Sequence, residues 1–417
     1  MRRGPGHPAT FALPHFRIFA LSHFERSEMK IGITCYPTYG GSGAVATELG
    51  IELAQRGHEI HFISYAQPFR LPHFVERVYF HEVETARYPL FEHHNYSLAL
   101  AAAMHDTAVR NELDLLHVHY AIPHATSAWI AKEMLGHDHP LKIVTTLHGT
   151  DITLVGQERS WFDITRFSIQ KSDGITAVSN YLKDETVKHF NVPGDDIEVI
   201  YNFIDPRLYD RASHPCHKDA LARPGEMLVL HVSNFRPVKR VRDVVRIFER
   251  LNRKVPSRLV LVGDGPDRPM AMDEAEALGI KNRVRFLGKQ DSVAELLACA
   301  ALLLLPSESE SFGLVALEAM ASGVPVVASR AGGVPEVVED QVTGCLGEIG
   351  DVEGMADAAV GLLSDHATWV RTSIAAKRIA AERFAADVIV PQYERYYERV
   401  IAGSPAAEPE LAATGDD

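Results

Sequence analysis

A chain of 417 residues is too long for one ordinary core and suits two domains of roughly 180–200 residues each. With 46% hydrophobic and 23% charged residues it reads as a globular protein, and a formal net charge of −13 argues against a nucleic-acid partner and against electrostatic docking on an anionic membrane. The cysteines, Cys35, Cys216, Cys299 and Cys345, are scattered with no C-x-x-C pair, so neither a zinc knuckle nor a disulfide framework is expected and a cytoplasmic location fits best.

Residues 1–28 place Arg3, His15, Arg17, His23, Glu25 and Arg26 among their apolar residues. They lack the h-region of a signal peptide and read as a disordered extension or a start-site error. No later run approaches the ~18 apolar residues needed to span a bilayer. Lys30–Cys35 then reads as a buried strand, Gly40-Gly41-Ser42-Gly43 opens a helix running to Arg56, and His58–Ser64 returns as a second strand. The glycine spacing is not G-x-G-x-x-G, and the second strand ends at Ser64-Tyr65 with no acidic residue for a ribose, so a dinucleotide site is not expected. The loop is either a tight turn or a place where a ligand meets the backbone at a helix N-terminus.

Further strands are predicted at Val75–Phe80, Leu115–His119, Ile143–Leu147, Gly174–Val178 and Ile197–Ile200, with helices between several of them. That alternation indicates a doubly wound, mostly parallel sheet. His117 and His119 alternate along one strand and read as packing, whereas His148, in His148-Gly149-Thr150-Asp151, closes a buried strand where an α/β ligand site forms. A polar stretch at Asp205–Pro224, punctuated by Pro206, Pro215 and Pro224, marks the domain join and gives domains 29–205 and 206–387. A second series follows at Met227–Val232, Arg258–Val262, Val284–Leu287, Leu302–Leu305 and Val324–Ala328. Helices Met355–Leu363, Trp369–Phe384 and the aromatic Val388–Val400 come last, before a disordered tail at 404–417.

Two motifs of the second series carry chemistry. Ser233-Asn234-Phe235-Arg236-Pro237-Val238-Lys239-Arg240 follows its first strand and is either a solvated basic turn or the local positive charge a diphosphate needs. Leu302–Ser329 reads as strand, loop, helix, strand, with the helix at Phe312–Ala321 capped by Ser311. Glu310 falls just outside that helix and Glu318 about two turns inside it, while the amides of Phe312, Gly313 and Leu314 offer an anion site. No H-E-x-x-H, C-x-x-C or D-x-D metal pattern is present.

Glu310 and Glu318, with Ser-Phe-Gly-Leu after the first and Glu-Ala-Met-Ala at the second, resemble the donor-sugar signature of the family 4 retaining glycosyltransferases. The resemblance covers Met29 to about Ile401 and implies the GT-B fold: two doubly wound, Rossmann-like domains facing a cleft, with the last helix, 388–401, crossing back onto the first. The strings ITCYPTYGGSG, LHVHYAIPHA, TTLHGTDIT, YNFIDPR, SNFRPVKRV and LGKQDSVAELL are similar to the bacillithiol-pathway branch of that family. That similarity implies transfer of N-acetylglucosamine from UDP-N-acetylglucosamine to the hydroxyl of L-malate with retention, and with no metal or other cofactor.

The resemblance carries His148, Arg236, Lys239 and Glu310 over as catalytic. It assigns the sugar hydroxyls to Glu310 and the ribose to Glu318, and it gives the donor Gly41, Asn202, Ser233, Gly263, Lys289, Ser311, Phe312, Gly313 and Leu314 as well. One departure is that Asn234 stands where the family has Arg, with Arg236 two residues later. Ser42, Tyr120 and Thr150 are candidate hydroxyl donors to the acceptor, and Arg166 its candidate cation, by likeness to related thiol-pathway transferases or as an exposed helix charge. Rival readings are a family 4 transferase acting on an inositol phosphate, lipid or glycan, a UDP-N-acetylglucosamine 2-epimerase, and a non-catalytic sugar-nucleotide sensor. A homo-oligomer is compatible with the sequence.

Overall fold

The structure is a computed structural model that describes residues 28–38, 40–85, 95–136 and 139–403. The expected extension, apart from Glu28, and the tail at 404–417 lie outside the described residues. Seven strands form the first sheet: β1 (Lys30–Thr34), β2 (Glu59–Ser64), β3 (Val78–Glu82), β4 (Leu115–His119), β5 (Lys142–Leu147), β6 (Gly174–Ala177) and β7 (Ile197–Val199). The second sheet has six: β8 (Met227–Val232), β9 (Ser257–Val262), β10 (Val284–Gly288), β11 (Leu302–Leu305), β12 (Val326–Ser329) and β13 (Gly344–Gly347). Their orders are β3-β2-β1-β4-β5-β6-β7 and β10-β9-β8-β11-β12-β13, and every pairing is parallel. The same order is therefore built twice, and each sheet reverses direction once, between β1 and β4 and between β8 and β11, where an α/β fold forms its ligand crevice.

Strands buried on both faces are dominated by apolar residues, with buried histidines in β4 and β8. β11 is four leucines, all fully buried, and in β4 all five residues are buried. Two strand expectations are corrected. β3 begins at Val78, three residues after Val75, because this edge strand is half-exposed and Arg77 before it adopts φ 63°. β13 went unread: Gly-Cys-Leu-Gly has neither alternation nor β-branched residues, yet it pairs with β12 along its whole length. The expectation of no disulfide is also corrected, since Cys216 and Cys299 are bonded, with Cα atoms 5.2 Å apart across a sequence separation of 83. Folding the linker against the helix Ala294–Cys299 makes that approach.

The last helix, Ala386–Ala402, returns to the first domain as the resemblance implied. Its Tyr393 and Tyr397 are fully buried, Tyr396 donates to the Ile175 carbonyl at 3.0 Å, and Tyr397 meets His117 Nδ1 at 2.8 Å. Its Glu394 is buried against His58 and Arg56 at 3.2 and 3.3 Å. Because Met29 N donates to His58 Nδ1, the His58 proton sits on Nε2, facing that carboxylate. Burying Ile389 and Val390 contributes roughly 1.5–3 kcal/mol each, so the chain end is part of the first core. Among the described residues no helix is long and apolar enough to cross a membrane.

Candidate active site

The loops after β1, β4 and β5 face those after β8 and β11 across a cleft of about 770 Å³. Gly41, Asn234, Lys239, Glu310 and Leu314 line both this cleft and an adjoining one of about 290 Å³, so one extended ligand can occupy the two together.

The first-domain wall rests on Asp151. Its carboxylate, 2% exposed, accepts from the amides of Ala121 at 3.0 Å, Gly149 at 3.0 Å and His148 at 3.4 Å. It thereby locks the loop after β4 to the loop after β5. Burial nonetheless raises its pKa to about 6 against the pull of those amides. Tyr120 is held at φ 87°, a region that strains a residue with a side chain by of order 1–3 kcal/mol. Its hydroxyl stands between Ser42 and Thr150, and burial and Asp151 raise its pKa to about 12. His148 meets His119 through Nε2 and Nδ1 at 2.8 Å, and desolvation lowers the pKa of His148 to about 3. Both imidazoles are neutral.

The second-domain wall is ionic. Lys239 Nζ stands 2.7 Å from Glu310 Oε1, which also accepts from Ser307 Oγ at 3.0 Å, and Glu308 N donates to the Val238 carbonyl, tying the loops after β8 and β11. The helix expected from Phe312 starts at Leu314 instead, with Gly313 at its N-cap in the left-handed region at φ 95° and no side-chain cap. Ser311 is therefore not the cap. Its carbonyl accepts from Ser179 of the first domain at 2.6 Å, and a Cβ on Gly149 would lie 1.7 Å from Ser311 Oγ, so the domains touch at a point only glycine permits. Glu336 adds a second seam contact by accepting the Asn180 and Tyr181 amides at 2.9 Å each, where the helix Asn180–Phe190 begins.

Glu318 closes the smaller cavity. Tyr209 donates to its Oε1 at 2.7 Å, and Arg70, reaching from the first domain, bridges Glu318 Oε1 at 3.4 Å and Glu48 Oε1 at 2.6 Å. Desolvation works against the Arg70 charge, but Glu318, Tyr209 and Glu48 outweigh it and hold the guanidinium above its ordinary pKa. Burial raises Glu48 to about 7 despite Arg70.

Most of the expected residues come together here. His148, Asn202, Arg236, Ser311, Phe312, Gly313, Ser42, Tyr120 and Thr150 line the larger cavity, and Ser233, Gly263, Lys289 and Glu318 the smaller. Arg166 is not brought to the cleft: it is half-exposed on the helix Phe162–Gln170, 3.5 Å from Asp163 and over the Phe162 ring. A helix turn that buries Thr165, Ser168 and Ile169 leaves Arg166 outward. Sequence reasoning missed Arg70, Tyr209 and Glu48, and read His119 as packing. Among the described residues no three or more His, Cys, Asp or Glu side chains gather into a metal-holding group.

Comparison with known proteins agrees with this geometry. Residues 39–208 match the family model Glycosyltransferase Family 4, and residues 226–365 the model Glycosyl transferases group 1. The chain is 50% identical over 375 residues to the N-acetyl-alpha-D-glucosaminyl L-malate synthase of Bacillus anthracis, covering 90% of this chain and 98% of that one. It is 30% identical over 319 residues to the D-inositol 3-phosphate glycosyltransferase of Mycobacteroides abscessus, covering 71% and 68%. Among solved structures, Anabaena Alr3699/HepE in complex with UDP and glucose superposes with a TM-score of 0.75 at 21% identity, covering 89% of this chain and all of that one. WaaG, a glycosyltransferase involved in lipopolysaccharide biosynthesis, gives 0.68 at 17%, covering 88% and 99%. At those identities the likeness concerns the GT-B fold alone.

Proposed function

This chain belongs to glycosyltransferase family 4, and from that membership we propose that it moves N-acetylglucosamine from UDP-N-acetylglucosamine to the hydroxyl of L-malate, with retention at the anomeric carbon, as the opening step of bacillithiol formation in the cytoplasm. The observation that carries the reading is the Bacillus anthracis relative, alike along nearly the whole of both chains. The cleft supports it: cations and a helix N-terminus on one wall suit a diphosphate, and hydroxyls and glycine-loop amides on the other suit an oxygen-rich acceptor.

In this reading the nucleoside lies against Glu318 in the smaller cavity, and the sugar reaches Glu310 and His148 in the larger. The diphosphate takes Lys239 away from Glu310, which frees that carboxylate for sugar hydroxyls. Lys239, Arg236 and the amides from Gly313 onward then offset the charge that grows on the leaving UDP, so no metal is needed. Retention proceeds by attack on the face the phosphate leaves, with the leaving phosphate taking the acceptor's proton. A double displacement would need a free carboxylate beneath the anomeric carbon. Asp151 holds three backbone amides, and Glu310, once Lys239 has left it, is taken up by Ser307 and the sugar hydroxyls, so neither stands free as a nucleophile.

The test is incubation with UDP-N-acetylglucosamine, with and without L-malate, with D-inositol 3-phosphate as a second acceptor and EDTA as a control. UDP release that depends on malate and survives EDTA supports the proposal. Preference for the inositol phosphate would replace the acceptor, isomerisation of the donor alone would indicate an epimerase, and binding without turnover a sensor. A glycosyl adduct trapped on Asp151 or Glu310 would overturn the same-face mechanism.

A further inference from the structure

We propose that His119 is a positioning residue that holds His148 in the tautomer with its proton on Nδ1, so that His148 presents a hydrogen-bond donor to the cleft. The two rings stack with centroids 5.0 Å apart at 26°, and His119 Nδ1 to His148 Nε2 is 2.8 Å, which leaves room for one proton between them. Desolvation lowers the pKa of both far enough that each ring carries a single proton.

Two arrangements remain. If His148 donated, the only proton of His119 would sit on its Nε2, a fully buried atom with no partner among the described residues, and an N–H would be stranded in a dry core. If His119 donates, the same Nε2 is a bare acceptor. Stranded buried N–H groups are rarer in folded proteins than under-satisfied acceptors, so the second arrangement is the one the core selects. His119 cannot turn to escape. Its ring packs 4.4 Å from that of His117, which Tyr397 and Thr146 hold through both nitrogens, and its carbonyl accepts from His124 Nδ1.

His148 Nε2 is therefore an acceptor already satisfied inside the wall, and the ring's proton is on Nδ1. Among the described residues Nδ1 makes no hydrogen bond, and His148 lines the larger cavity. A ring in this state can donate to an oxygen of the bound sugar but cannot take a proton from the acceptor hydroxyl. That excludes His148 as general base and deepens the reading in which the leaving phosphate is the base. The kinetic consequence rests on the proposed function, whereas the tautomer does not.

Long-range ¹H–¹⁵N correlation spectra of the full chain, with His148 assigned by its loss in His148→Gln, read the protonated nitrogen directly. The expected wild-type signal is pyrrole-type at Nδ1 and pyridine-type at Nε2. His119→Phe should release the ring towards the Nε2–H form and lower kcat on the order of 10- to 100-fold with the donor KM nearly unchanged. His119→Asn, whose amide can donate from the position of Nδ1, should keep both the tautomer and most of kcat. A wild-type His148 protonated on Nε2, or a His119→Phe protein with unchanged tautomer and kcat, overturns the proposal. Should His119→Phe not fold, the wild-type and His119→Asn spectra decide it. An Nδ1–H signal in a chain that transfers no sugar would sink the transferase reading and leave the tautomer standing.

Discussion

The two walls of the cleft stand on the same strand order and handle charge in opposite ways. At the strand ends of the first domain the histidines are neutral, the Tyr120 phenol is kept from ionising, and Asp151 is turned onto backbone amides. At those of the second, Lys239 pairs with Glu310, and Glu318 reaches across the seam to Arg70. Among the described residues lining the larger cavity the cations are Arg236 and Lys239, both from the second domain. Topology fixes where ligand loops fall, whereas the charge each wall holds suits the half of the reaction that the proposed function gives it. A wall that meets a leaving diphosphate needs ions that can exchange partners, and a wall that shapes an acceptor needs groups that stay put.

The sharpest way to break this contrast is Lys239→Ala. Removing a single donor from a developing oxyanion typically costs on the order of 10² to 10³ in rate, so kcat should fall by that much. EDTA should leave the wild type unaffected. Full activity in the variant would show that the ionic wall is not what offsets the leaving group.

Asp151 tests the neutral wall, and its signs oppose one another. As an acid whose folded pKa, about 6, lies above its ordinary 3.8, it stabilises the fold fully below pH 3.8, and that contribution is lost as pH rises through about 6. Activity needs the anion, because a proton on either oxygen sets an O–H donor against the amide donors of Ala121, or of His148 and Gly149, that fix the loop carrying His148. We expect kcat/KM to fall roughly tenfold per unit as pH drops below about 6, with no limb from His148 in that range. Asp151→Asn should be slower at every pH and lack the step. A wild-type profile flat from pH 5 to 7 would remove Asp151 from this role.

Glu310 and Glu318 sharpen the comparison within the second wall. Glu318→Ala should raise the donor KM by about 10- to 100-fold, the worth of a hydrogen bond to a charged group, with kcat little changed. Glu310→Ala should act mainly on kcat, since the sugar end changes charge in the transition state. Equal effects on both constants from both variants would show that the carboxylates do not divide the donor between them.

What could be read from the sequence follows from how local each feature is. β8 and β11 were legible to the residue because double-sided burial fills them with apolar residues, interrupted in β8 by His231, whereas the exposed edge at β3 and the glycine-bounded β13 carry no such demand. That Glu310 and Glu318 would meet the cleft was legible because they share one short segment. Arg70 and Tyr209 were not, being 248 and 109 residues from the Glu318 they hold. His119 sits on a buried strand at the spacing of ordinary packing, and only folding brings His148, 29 residues on, to its Nδ1.

The smallest effect is expected where sequence and structure diverge. If Arg166 gripped a malate carboxylate, Arg166→Ala would lose ~1.5 to 3 kcal/mol of acceptor binding, or about 10- to 100-fold in malate KM. The folded chain sets Arg166 beside Asp163, half-exposed and away from the cleft lining, and a surface pair of that kind is worth little. The expected change is therefore only a few-fold in malate KM, with the donor KM unmoved, and Arg236→Ala should exceed it because Arg236 already lines the cavity. A loss near 100-fold in Arg166→Ala would mean that acceptor binding turns this arginine inward and gives the first wall an ion of its own, which would end the contrast between the walls.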